Sequence, residues 1–238
     1  MTEPAGVTIA DTVRWLHDEG LIRLAGVAER MPAPVAAYTI DIATGTVTAH
    51  PAAATAAETT SLAADDLPYP VGTPKRLVVV GVTASESMLV IDLAATLTVA
   101  INADRPEVAA RAWMLQLLLN PEITLTTNSA DLAIGDSPRC RHGFIPGGGA
   151  TIVSVDDGQP PVTTVTLNST TDGPDHLDVA DDGTGEMYLG TKFWQLSQVM
   201  TVGDAAWSVL AAQLGGEPPA ALNQISTGTG GQLSESTP

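Results

Sequence analysis

The chain is 238 residues long, with 10 Lys+Arg against 27 Asp+Glu and a net charge of −17 at pH 7. Its 44% hydrophobic content suffices for the core of one large domain or two small ones. The acidity excludes a protein that neutralises nucleic-acid phosphates or an anionic membrane through clustered Lys and Arg, and a lone cysteine, Cys140, excludes an internal disulfide and a cysteine-based zinc site.

Ile9, Val13, Leu16, Leu21, Leu24 and Val27 recur at helical spacing and predict a helix from Thr8 to about Met31. Gly20 and Gly26 weaken it and divide it into two short helices, and Pro32 and Pro34 end it. Strands follow at Ala36–Ile42 and Thr46–His50 around the turn Ala43-Thr44-Gly45. Residues 51–75, rich in Ala, Thr and Pro, read as a linker or a surface wrap.

The run from Arg76 to Thr83 is dominated by β-branched residues, as in a strand covered on both faces. Strands are also expected at Met88–Leu93 and Leu97–Ile101. The clearest helix runs from Asp104 to Leu119, with Asp104 as its cap, Pro106 in its first turn and Glu107 three residues after the cap. Apolar residues surround it, so it is buried on more than one side. Asn120-Pro121 stops it before a strand at Glu122–Thr127. Strand, helix and strand make a βαβ unit, right-handed and with its two strands parallel.

Beyond an irregular stretch to Gly149, strands are expected at Ala150–Val155 and Val162–Leu167, and a hairpin at His176–Val179 and Gly185–Leu189 around Asp181-Asp182-Gly183. A last helix spans about Thr201 to Leu214, capped by Thr201 and Asp204. The Thr count of 29 agrees with this richness in strands. The reading is an α/β fold: a mixed sheet with a central βαβ unit, antiparallel hairpins and a short N-terminal helical segment. Its units are 1–50, 51–75, a core at 76–214 and a disordered tail at 215–238.

Few residues carry chemistry. A phosphate site at a helix start needs glycines and, in a P-loop, a Lys. The turn Ala100-Ile101-Asn102-Ala103-Asp104-Arg105-Pro106 has neither and sets Asp104 where a phosphate would lie. The glycine cluster Gly147-Gly148-Gly149 is either an anion-binding nest or a flexible strand entry. Cys140 and His142 lie between and beside two arginines, Arg139 and Arg141. Positive neighbours lower a thiol pKa, but no Asn or Asp orienter is placed near them. A basic patch on a surface loop, able to grip an acidic partner, is the stronger reading of Arg139 and Arg141. Asp178, Asp181, Asp182, Thr184 and Glu186 crowd one segment without the EF-hand order, and a hairpin turn explains them without metal. Trp15, Trp113, Trp194 and Trp207 are core anchors, with Trp194 beside Phe193 the candidate interface residue.

The blocks Arg76-Leu-Val-Val-Val-Gly-Val and Met88-Leu-Val-Ile-Asp-Leu-Ala, the strand and helix to Leu119, and Leu177-Asp-Val-Ala-Asp-Asp-Gly183-Thr184 before a closing helix form one series. That series resembles a module of large actinobacterial regulators, the membrane-anchored proteins with LysM-like and bacterial transcriptional activator domains. The resemblance covers roughly residues 8–214 and implies a degenerate, P-loop-like ATPase shape without phosphate-binding residues. This chain has no LysM-like segment, activator domain or membrane helix, so a regulatory role does not follow from shape alone. The expectation is a non-catalytic interaction module, a regulatory or assembly subunit that binds a protein partner or its own copies. No catalytic residue, cofactor, metal, nucleic acid or membrane insertion is expected. The alternatives are a structural component of a virion or secretion assembly, and an enzyme acting near Cys140 and His142. No secretory signal or spanning segment is apparent, which points to the cytoplasm or an assembled particle.

Overall fold

The computed structural model describes residues 7–52, 59–135, 137–145, 149–169 and 173–215. The expected tail after Gly215, Gly147 and Gly148 of the glycine cluster, and residues 53–58 lie outside the described residues.

Helix α1 (Ile9–Trp15) starts on a Thr8/Asp11 capping box and passes through one π-helical turn, Leu16–Gly20, into α2 (Leu21–Arg30). The two glycines do not divide it. A Cβ on Gly20 would lie 2.9 Å from the Trp15 ring, and one on Gly26 would lie 3.1 Å from Pro68. Both are small because a neighbour occupies the space.

Strands β1 (Val35–Asp41) and β2 (Val47–Pro51) form the expected hairpin, its turn held by Asp41 Oδ1 accepting from the Thr44 N–H at 2.7 Å. The 51–75 stretch contributes β3 (Thr60–Leu62), a short edge strand on β2, and buries Leu67. Next come β4 (Leu77–Thr83) and β5 (Ser87–Asp92), antiparallel to each other, with every residue of β4 buried. Then follow β6 (Thr98–Asn102), α3 (Pro106–Leu119), β7 (Thr124–Thr127), β8 (Cys140–His142), β9 (Thr151–Asp156), β10 (Thr163–Leu167), β11 (His176–Val179), β12 (Gly185–Leu189), β13 (Lys192–Val199) and α4 (Asp204–Gly215).

The strands make one mixed sheet in the order β3-β2-β1-β5-β4-β13-β12-β11-β6-β10-β9-β7-β8. The fold is α/β, as expected. Strand β6 pairs in parallel with β10 and β11, and β7 with β8. The strands flanking α3, β6 and β7, run in the same direction, but β10 and β9 lie between them.

Two cores share the sheet. One packs the α1–α2 segment on β1, β2, β4 and β5 through Leu16, Leu24, Tyr38 and Met88. The other surrounds α3, whose Trp113, Met114 and Leu117 meet Ile101, Leu125 and Val165. This helix touches β4, β6, β7 and β10, which is why its sequence has no polar face. Its start differs from expectation. Arg105 takes the cap position but its side chain makes no capping hydrogen bond to the first turn's backbone, Pro106 is the first helical residue, and Asp104 does not cap. Likewise α4 begins at Asp204, and Thr201 lies outside it.

Candidate interaction surface

Helix α4 reads DAAWSVLAAQLG, with one charged residue at its first position. Asp204 accepts from Arg105 Nη2 at 2.9 Å and from Arg111 Nη1 at 2.6 Å. Those two arginines, Arg111 first, hold its carboxyl below the usual carboxylate range. One turn on, Trp207 is buried and donates from Nε1 to the Asp131 carbonyl at 3.1 Å, with the Arg111 guanidinium 5.6 Å from its ring centroid. Trp207 is the only buried residue of α4. Val209 is 59% exposed, and Leu210 and Leu214 are also exposed.

Beside them Leu119, the last residue of α3, is 67% exposed. Between the two helices runs a groove of about 340 Å³, lined by Leu115, Leu119, Met200, Leu210 and Leu214, with His17 at its edge. Burial pushes the His17 imidazole below its ordinary pKa, so it is neutral at physiological pH. The groove is an uncharged apolar strip on a chain of net charge −17. None of its leucines was singled out in the sequence. The available signal was a helix with no polar face at the end of an acidic chain.

The singled-out residues are spread over other parts of the fold. Trp194 is half-buried, packs on the core around α3, and meets the His50 ring edge-on at 5.3 Å. Phe193, on the opposite face, is 50% exposed and lies against Tyr188 at 4.9 Å, which in turn stacks on His176. Arg139 donates to the Leu118 and Asn120 carbonyls at 2.8 Å each, so its guanidinium closes the C-terminal end of α3. Arg141 is exposed and donates to the Pro138 carbonyl.

Cys140 points into the core, its thiol 3.7 Å from the Leu132 carbonyl, and burial pushes its pKa up to about 11. His142 is exposed, with Nε2 against the Asn128 carbonyl. The Asp181-Asp182-Gly183 turn is closed by Asp182 accepting from the Thr184 N–H and hydroxyl, and Gly183 takes the left-handed φ of +84°. Asp178 accepts from Asn102 Nδ2 across to β6, and Glu186 accepts from the Tyr188 hydroxyl. Among the described residues, no three His, Cys, Asp or Glu side chains converge as a metal site would need. At the turn before α3, the Arg105 side chain pairs with Glu107 in the first turn of that helix and with Asp204 of α4. Among the described residues, no helix is long and apolar enough to cross a membrane.

Comparison with protein-family models, curated proteins and solved structures gives no match.

Proposed function

We propose that the protein is a non-catalytic interaction module, a regulatory or assembly subunit, that docks a partner protein in the groove between α3 and α4. One observation carries the reading: α4 has only Asp204, Ser208 and Gln213 as polar residues and no polar face, yet buries only Trp207. A helix of that composition belongs in an interior, and exposed apolar strips of this kind mark interaction surfaces. An apolar helix laid along α3 and α4 would supply the missing interior. Two copies of this chain repel through their net charge of −17, which favours a different partner. The buried Cys140 thiol, protonated at neutral pH, supports a non-catalytic role over chemistry at Cys140 and His142. A place among regulators built like the actinobacterial family belongs to the same proposal. It rests on the succession of β4, β5, β6 and α3 and on the closing helix α4.

The test is purification of tagged full-length protein from its own source, beside the double variant Leu119→Glu/Leu214→Glu. A stoichiometric partner retained by the parent chain and lost by the variant, at equal thermal stability, is the expected result. A lone monomer in the extract, or a partner indifferent to the variant, overturns it. A large homo-oligomer of the purified protein would put the particle-component reading in its place.

A further inference from the structure

A second cavity of about 340 Å³ shares no residue with the α3–α4 groove. It opens between α2, the end of β5 and the 157–161 loop. Its walls are aliphatic: Ala25, Ala28, Pro34, Val35, Pro160 and Pro161. Three carboxyl groups and two cations also line it.

Four of those five charges are spent on one another. Lys75 Nζ and Glu29 Oε1 pair at 3.3 Å, both substantially exposed. Arg76, 2% exposed, is bound to Asp157, to the Pro161 and Gln159 carbonyls and to Thr163 Oγ1. The fifth charge is Asp92. Its Oδ1 accepts from the Ala94 N–H at 2.8 Å, and among the described residues it has no ion-pair partner. Burial raises its pKa, opposed by the Ala94 N–H and, through space, by Arg76 and Lys75, both of which are paired to other carboxylates.

We propose that this cavity binds a primary ammonium on an aliphatic stem, with the ammonium on Asp92 and the stem along the alanine and proline walls. An anion would meet Asp92, Asp157 and Glu29 together. A guanidinium makes its best contact through a fork onto both carboxylate oxygens, and one of the two lone pairs of Asp92 Oδ1 is already taken by the Ala94 N–H, which disfavours the fork without blocking it. An ammonium is a compact charge that one oxygen can hold, and its methylene stem matches apolar walls. Free alkylamines and lysine side chains share this chemistry.

The experiment is calorimetric titration of the full chain at low salt with n-pentylammonium chloride, with n-pentanol as the uncharged control. The peptide acetyl-Ala-Ala-Lys-Ala-Ala-amide forms a second arm. Saturable binding of pentylammonium and none of pentanol is expected. Asp92→Asn should weaken binding by about tenfold or more, the loss on removing a charge-assisted contact. Ala94→Phe, at an exposed wall position, keeps the carboxyl and narrows the cavity, and should weaken binding as well. Thermal melts of both variants establish that they are folded. Peptide binding at least as tight as pentylammonium assigns the source to a lysine side chain, and binding of pentylammonium alone assigns it to a free amine. Saturable binding of neither probe, or binding unchanged in folded Asp92→Asn, overturns the proposal. Leu119→Glu/Leu214→Glu should bind the amine normally, so the two sites fail or stand separately.

Discussion

Gln116 is the residue on which the junction between α3 and the sheet depends. It is buried in the middle of the helix. Its Oε1 accepts from the Val79 N–H at 2.7 Å, and its Nε2 donates to the Val79 carbonyl at 3.0 Å. Strand β13 pairs with β4 only as far as Val199 opposite Gly81, and β4 is irregular between Val79 and Gly81. The side-chain amide therefore stands in for a neighbouring strand where none is present. Gln116→Leu keeps a similar volume and removes both bonds. Each orphaned buried backbone group costs about 1–3 kcal/mol, and the added apolar burial returns about 1 kcal/mol. The net loss is about 3 kcal/mol, or roughly 6–12 °C in melting midpoint for a chain of this size. Urea unfolding followed by tryptophan fluorescence measures it, since Trp113 lies in the same helix. An unchanged urea slope would show that native packing alone has been weakened. Gln116→Glu should also destabilise, because one of its oxygens would face the Val79 carbonyl. A loss under about 1 kcal/mol for Gln116→Leu would refute the role given to the amide.

Trp113, 1% exposed at the centre of the larger core, should cost about 3–5 kcal/mol on substitution by Ala, read by the same urea titration; a cost under 1 kcal/mol would contradict the placement of α3. The Cys140 thiol should react with a thiol reagent at neutral pH far more slowly than a small free thiol, and at the ordinary rate only after unfolding. Fast labelling of the native protein would contradict its burial. Asp204 is a depressed carboxylate, so the stability it contributes is present above the ordinary carboxylate range and lost as pH falls through its lowered pKa. Asp204→Asn should therefore be less stable than the parent at neutral pH, with the gap closing on acidification. Parallel melting curves across that range would rule this out.

The alternating and β-branched segments were legible in the sequence because burial follows their period. Strands β4, β10 and β12 lie within a residue of expectation, and α3 is buried on more than one side as its composition implied. Strand β13 was not legible. Its register shifts between Leu196 and Gln198, so apolar residues do not alternate along it. Strands β3 and β8 have three residues each, too few for any period to show. Polar residues that join distant parts of the chain were also hidden. Arg139 reads as half of a basic patch until the end of α3 is seen to lie against its guanidinium. Gln116 reads as one polar interruption in an apolar helix. Asp104 suits a helix cap by spacing, but Pro106 fixes the first turn one residue later than that spacing requires.

The groove of α3 and α4 also bounds how its partner must bind. Asp204, Trp207 and the approach of Gly215 to Gly135 hold α4 in place, leaving Leu210 and Leu214 with Leu119 as the exposed apolar residues of the groove. Full burial of a wholly exposed side chain is worth about 1.5–3 kcal/mol, and Leu119, Leu210 and Leu214 are only 67%, 36% and 42% exposed, so covering what remains of these three supplies roughly 2–4 kcal/mol. Association itself costs about 4–15 kcal/mol, before any ordering of interface side chains. The strip alone thus falls short of a tight complex, and a partner bound stably to this chain must make further contacts outside the groove. An isolated apolar helix from such a partner should bind much more weakly than the intact protein. Equal affinity of the two would mean that the groove carries the whole interaction and that these areas understate it.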